Sequence, residues 1–146
     1  MPSSRKAKKA LLHSIPKETQ GPVYDLGSGW GTLIFALAAH LPTCKVIGVE
    51  NSPFPYAICL LKSFLKRREN LELRFLNFYQ SDISDAAIVI CYLCPGSMNK
   101  LKNKFEKELK TGTLIISSTF ALPGWKPIQT IDIGDLYHSK IYIYQK

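Results

Sequence analysis

Short apolar strand patterns alternate with helical patterns along most of this 146-residue chain. Strands are predicted at residues 23–26, 45–50, 71–76, 87–93 and 113–119. Helices are predicted from Ser3 or Ser4, the candidate N-caps, to residue 15, and at residues 32–40, 53–68 and 98–110, the last capped by Ser97. The continuously apolar run at 87–93 is typical of a strand in the middle of a parallel sheet. The alternation predicts parallel strands joined by right-handed crossovers, with helices on both faces.

Two further strand patterns, at residues 129–133 and 140–144, end the chain and are separated by a polar connection. This arrangement is typical of an antiparallel hairpin. The predicted fold is therefore a doubly wound α/β domain, with a mainly parallel seven-stranded sheet and a C-terminal antiparallel hairpin. The length fits one domain, so residues 1–146 are predicted to form a single unit, in which residues 1–20 are an N-terminal helix and lead-in.

Composition and charge limit the class of protein further. The chain is 46% hydrophobic and 21% charged, which excludes a disordered or collagen-like chain. Its apolar stretches are cut by prolines and glycines well before the roughly 18 residues of a membrane-spanning helix. The net charge of +8 favours anionic partners such as RNA or an acidic membrane surface. We expect a cytoplasmic protein, with peripheral membrane association as an alternative.

The first 17 residues contain five cations, Arg5, Lys6, Lys8, Lys9 and Lys17, and no acid. This composition admits an organellar presequence, but it equally fits an amphipathic helix whose lysines face solvent. The four cysteines, at positions 44, 59, 91 and 94, lie in apolar segments without framework spacing. They are predicted to be buried free thiols of a reducing compartment. Cys91 and Cys94 have the spacing of a zinc or redox pair, but no second pair exists, so no metal site is predicted.

A glycine-rich loop, Asp25-Leu26-Gly27-Ser28-Gly29-Trp30-Gly31, follows the first predicted strand. Glycines let the backbone turn tightly and approach a ligand closely. A dinucleotide fingerprint would place its third glycine at Thr32, so the loop favours a nucleoside cofactor other than NAD. The alternative for such a loop is a tight strand-to-helix turn that binds nothing.

Further candidate ligand groups end the next two strands. Glu50 ends the second strand, 19 residues after Gly31, where a carboxylate accepts hydrogen bonds from ribose hydroxyls. Asn77 and Phe78 follow the third strand, where an amide could bind an adenine amine and a ring could cover the base. Each of these residues, taken singly, also fits an ordinary strand end or loop.

Together, Asp25–Gly31 and Glu50 resemble the class I S-adenosylmethionine-dependent methyltransferases. More narrowly, the chain resembles the protein-lysine methyltransferases that act on the ATP synthase c subunit and the adenine nucleotide translocator, with their prokaryotic relatives. Three segments are similar to that family's motifs, namely Glu50-Asn51-Ser52-Pro53, Asn77-Phe78-Tyr79-Gln80-Ser81-Asp82-Ile83-Ser84 and Phe120-Ala121-Leu122-Pro123-Gly124-Trp125. The chain departs from the family's usual aspartates at Trp30 and Asn77.

The resemblance implies a site with two parts. S-adenosylmethionine would be bound by Asp25, Gly27, Ser28, Gly29, Trp30, Glu50, Asn77 and Phe78. The methyl acceptor would be a lysine amine of a protein, in a pocket formed by Tyr92, Pro95, Phe120 and Trp125. Tyr79 and Asp82 are the candidate catalytic residues, and Asp82 would orient the amine or accept its proton. Core packing for the aromatic residues and a capping role for Asp82 are the alternatives.

Two other functions remain open. A small RNA methyltransferase would use Lys62, Lys66, Arg67, Arg68 and the lysines of residues 100–110 to contact phosphates. The fourth strand ends in Leu93-Cys94-Pro95-Gly96, which lacks the motif of adenine amino-methylating enzymes. A non-catalytic binding module that retains the methyltransferase fold is the second alternative.

Overall fold

The computed structural model describes residues 5–146, which form seven strands and four helices. The strands are β1 Val23–Leu26, β2 Val46–Glu50, β3 Leu71–Phe75, β4 Ile88–Cys91, β5 Leu114–Ser118, β6 Gln129–Asp132 and β7 Lys140–Gln145. The helices are α1 Arg5–Ser14, α2 Ile34–His40, α3 Pro53–Leu65 and α4 Pro95–Glu108. The predicted alternation is therefore confirmed, while the proposed caps Ser3 and Ser4 lie outside the described residues.

The seven strands form one sheet in the order β3-β2-β1-β4-β5-β7-β6. The pairs among β1 to β5 are parallel, and β7 pairs antiparallel with both β5 and β6. The predicted fold class, including the C-terminal hairpin, is thus confirmed. Strand order reverses at β1, which lies between β2 and β4, and a ligand cleft is expected at the carboxyl ends of these strands.

The central strands β1, β2 and β4 are buried along their whole length because helices or loops cover both faces of the sheet. One face packs against α1, α2 and Cys59 of α3. The other face packs against α4 and against two segments without helix, 76–87 and 119–128, which contribute Phe78, Ile83 and Leu122 to the core. These two segments lie beside the carboxyl ends of the strands that precede them.

Three local predictions were wrong. Helix α4 begins at Pro95 after the N-cap Cys94, and not after Ser97, because proline fits the first turn, where a missing amide proton costs little. Helix α3 ends at Leu65, three residues early. The four cysteines are free, but Cys94 is exposed and not buried, since it lies at the surface end of α4. Within residues 5–146, no helix has the length and apolar character needed to cross a membrane.

Candidate functional site

A cleft of about 340 Å³ opens at the carboxyl ends of β1 and β2, beside the point where strand order reverses. The loop after β1 forms one wall, and the segment after β2 forms another. The residues lining it are Asp25, Gly27, Ser28, Gly29, Trp30, Thr32, Leu33, Glu50, Asn51, Ser52, Pro55, Phe78, Tyr92 and Leu93. The structure therefore brings together all the residues predicted to bind the cofactor, with the exception of Asn77.

The glycine-rich loop has a backbone that other residues adopt poorly. Gly27 and Gly29 have φ angles of +79° and +54°, and side chains at such angles are strained. A Cβ at Gly27 would also lie 2.9 Å from Leu93 Cδ2. At Gly29, by contrast, a Cβ would meet nothing closer than the Gly27 carbonyl oxygen at 3.9 Å. The loop therefore leaves open space beside its backbone at Gly29.

The Glu50 carboxylate is held in position by two backbone amides. The Gly29 N–H donates to Oε2 at 2.7 Å, and the Ser52 N–H donates to Oε1 at 2.8 Å. The side chain is buried but lines the cleft. Because each carboxylate oxygen can accept two hydrogen bonds, both retain a lone pair for hydroxyl groups of a ligand.

Asp25 of β1 also lines the cleft, and its carboxyl group has an unusual environment. Burial, together with the nearby Glu50 charge, raises its pKa to about 7. Its Oδ2 is buried without a hydrogen-bond partner among residues 5–146. Buried polar atoms are normally paired, so an unpaired carboxyl oxygen at a cleft indicates a place for a donor or cationic group of a ligand.

The loop after β3 brings Phe78 to the cleft but not Asn77. Phe78 is buried and lines the cleft. The Asn77 Oδ1 accepts a hydrogen bond from the Tyr79 N–H at 3.0 Å, so it closes a local turn. An adenine contact for Asn77 remains a prediction.

The two candidate catalytic residues lie outside the cleft lining. Tyr79 is half-buried, with its ring centroid 4.4 Å from that of Phe78 and 5.7 Å from Lys100 Nζ. Asp82 is exposed, and its Oδ1 accepts a hydrogen bond from the Ser84 N–H at 2.9 Å. Hydrogen bonding to Ser84 lowers the pKa of Asp82. The structure therefore shows a turn-stabilising contact for Asp82 and no contact with the cleft.

The four residues of the predicted acceptor pocket are spread over a wider surface. Tyr92 lines the cleft, whereas Pro95 is exposed at the start of α4. Phe120 and Trp125 pack, partly buried, against the core on the α4 face. The Trp125 Nε1–H donates to Glu106 Oε1 at 3.2 Å, which directs this ring toward α4. Phe120 and Trp125 do not line the cleft.

The loop of residues 119–125 is tied to the sheet. The Tyr144 hydroxyl, buried in β7, accepts a hydrogen bond from the Leu122 N–H at 2.9 Å. The Ser117 hydroxyl donates to the Phe120 carbonyl oxygen at 2.5 Å. Both contacts fix this loop beside the carboxyl end of β5.

Several cleft residues were missed from the sequence. Asn51, Ser52 and Pro55 line the cleft directly after Glu50, and their position after a strand that ends in an acid was the available signal. A contact between α3 and the glycine loop was also missed. The Lys62 ammonium donates to the Trp30 carbonyl oxygen at 2.8 Å, and no local pattern connects residues so distant in sequence.

The chain is similar in sequence to a known methyltransferase domain family and to individual lysine methyltransferases. A family model described as the ANTKMT methyltransferase domain matches residues 25–129. A protein-lysine N-methyltransferase of Saccharolobus islandicus (strain REY15A) is 32% identical over 149 residues, with 99% of this chain and 91% of the relative covered. The mouse adenine nucleotide translocase lysine N-methyltransferase is 26% identical, with 90% of this chain covered, but only 57% of the longer relative.

Among solved structures, an RNA methyltransferase from Salinibacter ruber in complex with S-adenosyl-L-homocysteine is similar over nearly the whole chain. The TM-score is 0.89 at 25% identity, and the match covers 99% of this chain and 93% of the other. The bound molecule is the demethylated product of S-adenosylmethionine.

Proposed function

Because this chain belongs to the ANTKMT methyltransferase domain family and is an S-adenosylmethionine-dependent methyltransferase, we propose that its acceptor is a lysine amine of a protein. The observation that carries the lysine assignment is the 32% identity, over nearly the full length of both chains, to a relative named a protein-lysine N-methyltransferase. We place the cofactor and the reacting amine in the cleft at the carboxyl ends of β1 and β2.

The residues lining the cleft fit S-adenosylmethionine. The unpaired Asp25 Oδ2 suits a cationic donor such as the ammonium of the methionine part. The Glu50 oxygens, held by Gly29 and Ser52, retain lone pairs for the ribose hydroxyls. The buried Phe78 ring supplies an apolar surface for a base. We assign these three side chains to the cofactor.

When bound, S-adenosylmethionine supplies a methyl group activated by a sulfonium charge. The protein then has to align a neutral amine and exclude water. Keeping a lysine of pKa about 10.4 neutral at pH 7 costs roughly 4 to 5 kcal/mol in water. The side chains of Phe78, Tyr92 and Leu93 line the cleft, and such surroundings favour the neutral amine.

The cleft lining offers two carboxyl groups, Asp25 and Glu50, and both belong to the part assigned to the cofactor. We therefore propose that the amine releases its proton to solvent before transfer, without a dedicated carboxylate base. Asp82 is exposed and bonded to Ser84, which agrees with loss of the proton to solvent and not to this carboxylate.

RNA is the second candidate acceptor. It is favoured by the similarity to the RNA methyltransferase from Salinibacter ruber and by the net charge of +8. The residues of the cleft do not distinguish these acceptors, because both would use the same cofactor groups.

Transfer of a tritiated methyl group from S-adenosylmethionine onto separated protein and RNA fractions tests the proposal. The expected label is acid-stable, sensitive to protease and resistant to ribonuclease. At S-adenosylmethionine concentrations below the wild-type dissociation constant, Glu50→Gln should reduce labelling at least about tenfold, whereas Glu69→Gln, an exposed acid elsewhere, should leave it unchanged. Label that ribonuclease releases would contradict the lysine assignment and establish RNA as the acceptor.

A further inference from the structure

Helix α3 is unusual for a surface helix. Its sequence, PFPYAICLLKSFL, contains a single charged residue, Lys62. Only Cys59 of this helix is buried. A helix that is apolar on nearly all sides is normally covered on nearly all sides. The uncovered part of α3 therefore indicates an interaction surface.

The exposed apolar side chains of α3 share one side of the helix, which we name the α3 face. Phe54, Leu61 and Leu65 follow one another at helical spacing, and Leu60 and Phe64 form an adjacent row. Phe54, Leu61, Phe64 and Leu65 are 67%, 61%, 68% and 78% exposed. None of these side chains can form a hydrogen bond. The α3 face therefore offers apolar contact alone.

Cations border the α3 face at its C-terminal end. Lys66, Arg67 and Arg68 follow the helix directly and are all exposed. None of the three forms an ion pair within residues 5–146. The one acid from residue 53 to residue 69 is Glu69. An apolar face bordered by unpaired cations is complementary to a partner that has an apolar interior and an anionic boundary.

We propose that the α3 face docks on an anionic lipid bilayer, with its apolar side chains in the interfacial layer and Lys66, Arg67 and Arg68 at the phosphate headgroups. Amphipathic surfaces of this composition bind membranes by the sum of apolar burial and attraction to anionic lipids.

Other occupants fit the α3 face less well. A second copy of the chain would present the same patch, whose single acid, Glu69, cannot pair with all three cations at the end of α3. A protein partner would normally form about one hydrogen bond per 100–200 Å², and the α3 face has no side chain to donate or accept one. RNA would satisfy Lys66, Arg67 and Arg68 but would leave the leucines exposed.

The α3 face is continuous with the mouth of the cofactor cleft. The Phe54 ring contacts the Trp30 ring edge to face, with centroids 5.6 Å apart, and Trp30 lines the cleft. Lys62 of the same helix binds the Trp30 carbonyl oxygen. A docked molecule would thus hold its cleft beside the bilayer surface. The docking itself does not depend on which acceptor is methylated.

Cosedimentation with vesicles tests this inference without any methyl acceptor. The full chain is expected to bind vesicles of phosphatidylcholine with 30 mol% phosphatidylglycerol at least about tenfold more tightly than vesicles of phosphatidylcholine alone. Binding should weaken in 0.5 M salt.

Two pairs of matched variants separate the apolar and charged contributions. Phe64→Gln/Leu65→Gln should weaken binding at least about tenfold, whereas Leu136→Gln/Tyr137→Gln, which changes two highly exposed side chains elsewhere, should not. Neutralising Lys66, Arg67 and Arg68 with glutamine should weaken it roughly a hundredfold. Neutralising Lys107, Lys110 and Lys126, exposed cations outside the α3 face, should have a much smaller effect.

An unchanged affinity for S-adenosylmethionine would show that Phe64→Gln/Leu65→Gln remains folded. The inference is overturned if the wild-type chain binds neither kind of vesicle, or if both members of a variant pair lose binding equally. A dimer in sedimentation velocity that Phe64→Gln/Leu65→Gln dissociates would also overturn it. So would a chain that binds RNA but no vesicles, if RNA binding is lost only in the variant with Lys66, Arg67 and Arg68 neutralised. Failure here would leave the lysine proposal intact, because methyl transfer is measured separately.

Discussion

Substituting Asp25 with asparagine should remove a pH dependence from the free energy of unfolding. The pKa of the buried Asp25 is raised from 3.8 to about 7, first by desolvation and then by the charge of Glu50. When the pKa of a carboxyl group is higher in the folded state than in the unfolded state, the group contributes its full stabilisation at pH values below the unfolded-state pKa. That stability is lost as the pH rises through the folded pKa.

The expected loss of stability follows from the difference between the unfolded and folded pKa values of Asp25. The rise from 3.8 to about 7 corresponds to a loss of about 4 kcal/mol, spread over the pH range from about 4 to 7. The nearby thiols of Cys59 and Cys91 do not titrate in this range, because burial raises their pKa values to about 11 and about 12. Asparagine cannot ionise, so the variant lacks this loss.

Urea unfolding between pH 4.5 and 8.5 measures the effect. The free energy of unfolding of Asp25→Asn, minus that of the wild type, should rise by about 1.4 kcal/mol per pH unit up to about pH 7 and then level off. Asp135→Asn is the control, because hydrogen bonds to Ser139 lower the pKa of Asp135, so its difference should be flat above pH 5. A flat difference for Asp25→Asn would show that Asp25 is ionised throughout and would refute the reasoning.

Three further substitutions and one matched control test the site and its supports. Glu50→Gln turns an amide NH₂ toward a backbone N–H, so calorimetry should show S-adenosylmethionine binding weakened at least about tenfold; an unchanged dissociation constant would contradict the ribose assignment. Gly48→Ala should cost about 1–3 kcal/mol in urea unfolding, because its Cβ would overlap a buried side chain of α2. Gly96→Ala, where a Cβ has no neighbour within 4 Å, should change stability by less than about 1 kcal/mol; equal losses would argue against overpacking at Gly48. Tyr144→Phe leaves the buried Leu122 N–H without its acceptor and should cost about 1–3 kcal/mol, whereas a loss near zero would show that this N–H finds another partner.

Most of the sheet could be predicted from local patterns. The continuously apolar run around β4 identified a central strand, and the alternation of strands with helices required parallel pairing. The position of β7 between β5 and β6 could not be predicted in this way. A hairpin pattern shows that two strands pair but does not show which of them joins the sheet.

The cofactor side of the site was predictable because its residues directly follow strands. Asp25, Glu50 and the glycine loop reach the cleft through parallel strands whose carboxyl ends share one edge. The positions of Asp82 and Trp125 depend instead on segments 76–87 and 119–128, which have no repeating pattern. Contacts such as that from Tyr144 to Leu122 hold these segments, and they join residues 22 positions apart.

The uncovered side of α3 could not be anticipated either. Apolar residues at helical spacing predict burial. The spacing of Phe64 and Leu65 gives no sign that residues 5–146 leave both side chains exposed. Charge was the only available hint, since Lys66 to Arg68 follow the helix directly.

The central claim, methyl transfer onto a lysine amine, is tested most directly by identifying the methylated amino acid. Protein labelled with tritiated methyl groups by the purified enzyme is hydrolysed in acid, and its amino acids are separated by chromatography against methyllysine standards. We predict that the label elutes with ε-N-methylated lysine and is strongly reduced when Glu50→Gln replaces the wild type. Label that elutes with another amino acid, or that is found only in RNA, would contradict the account.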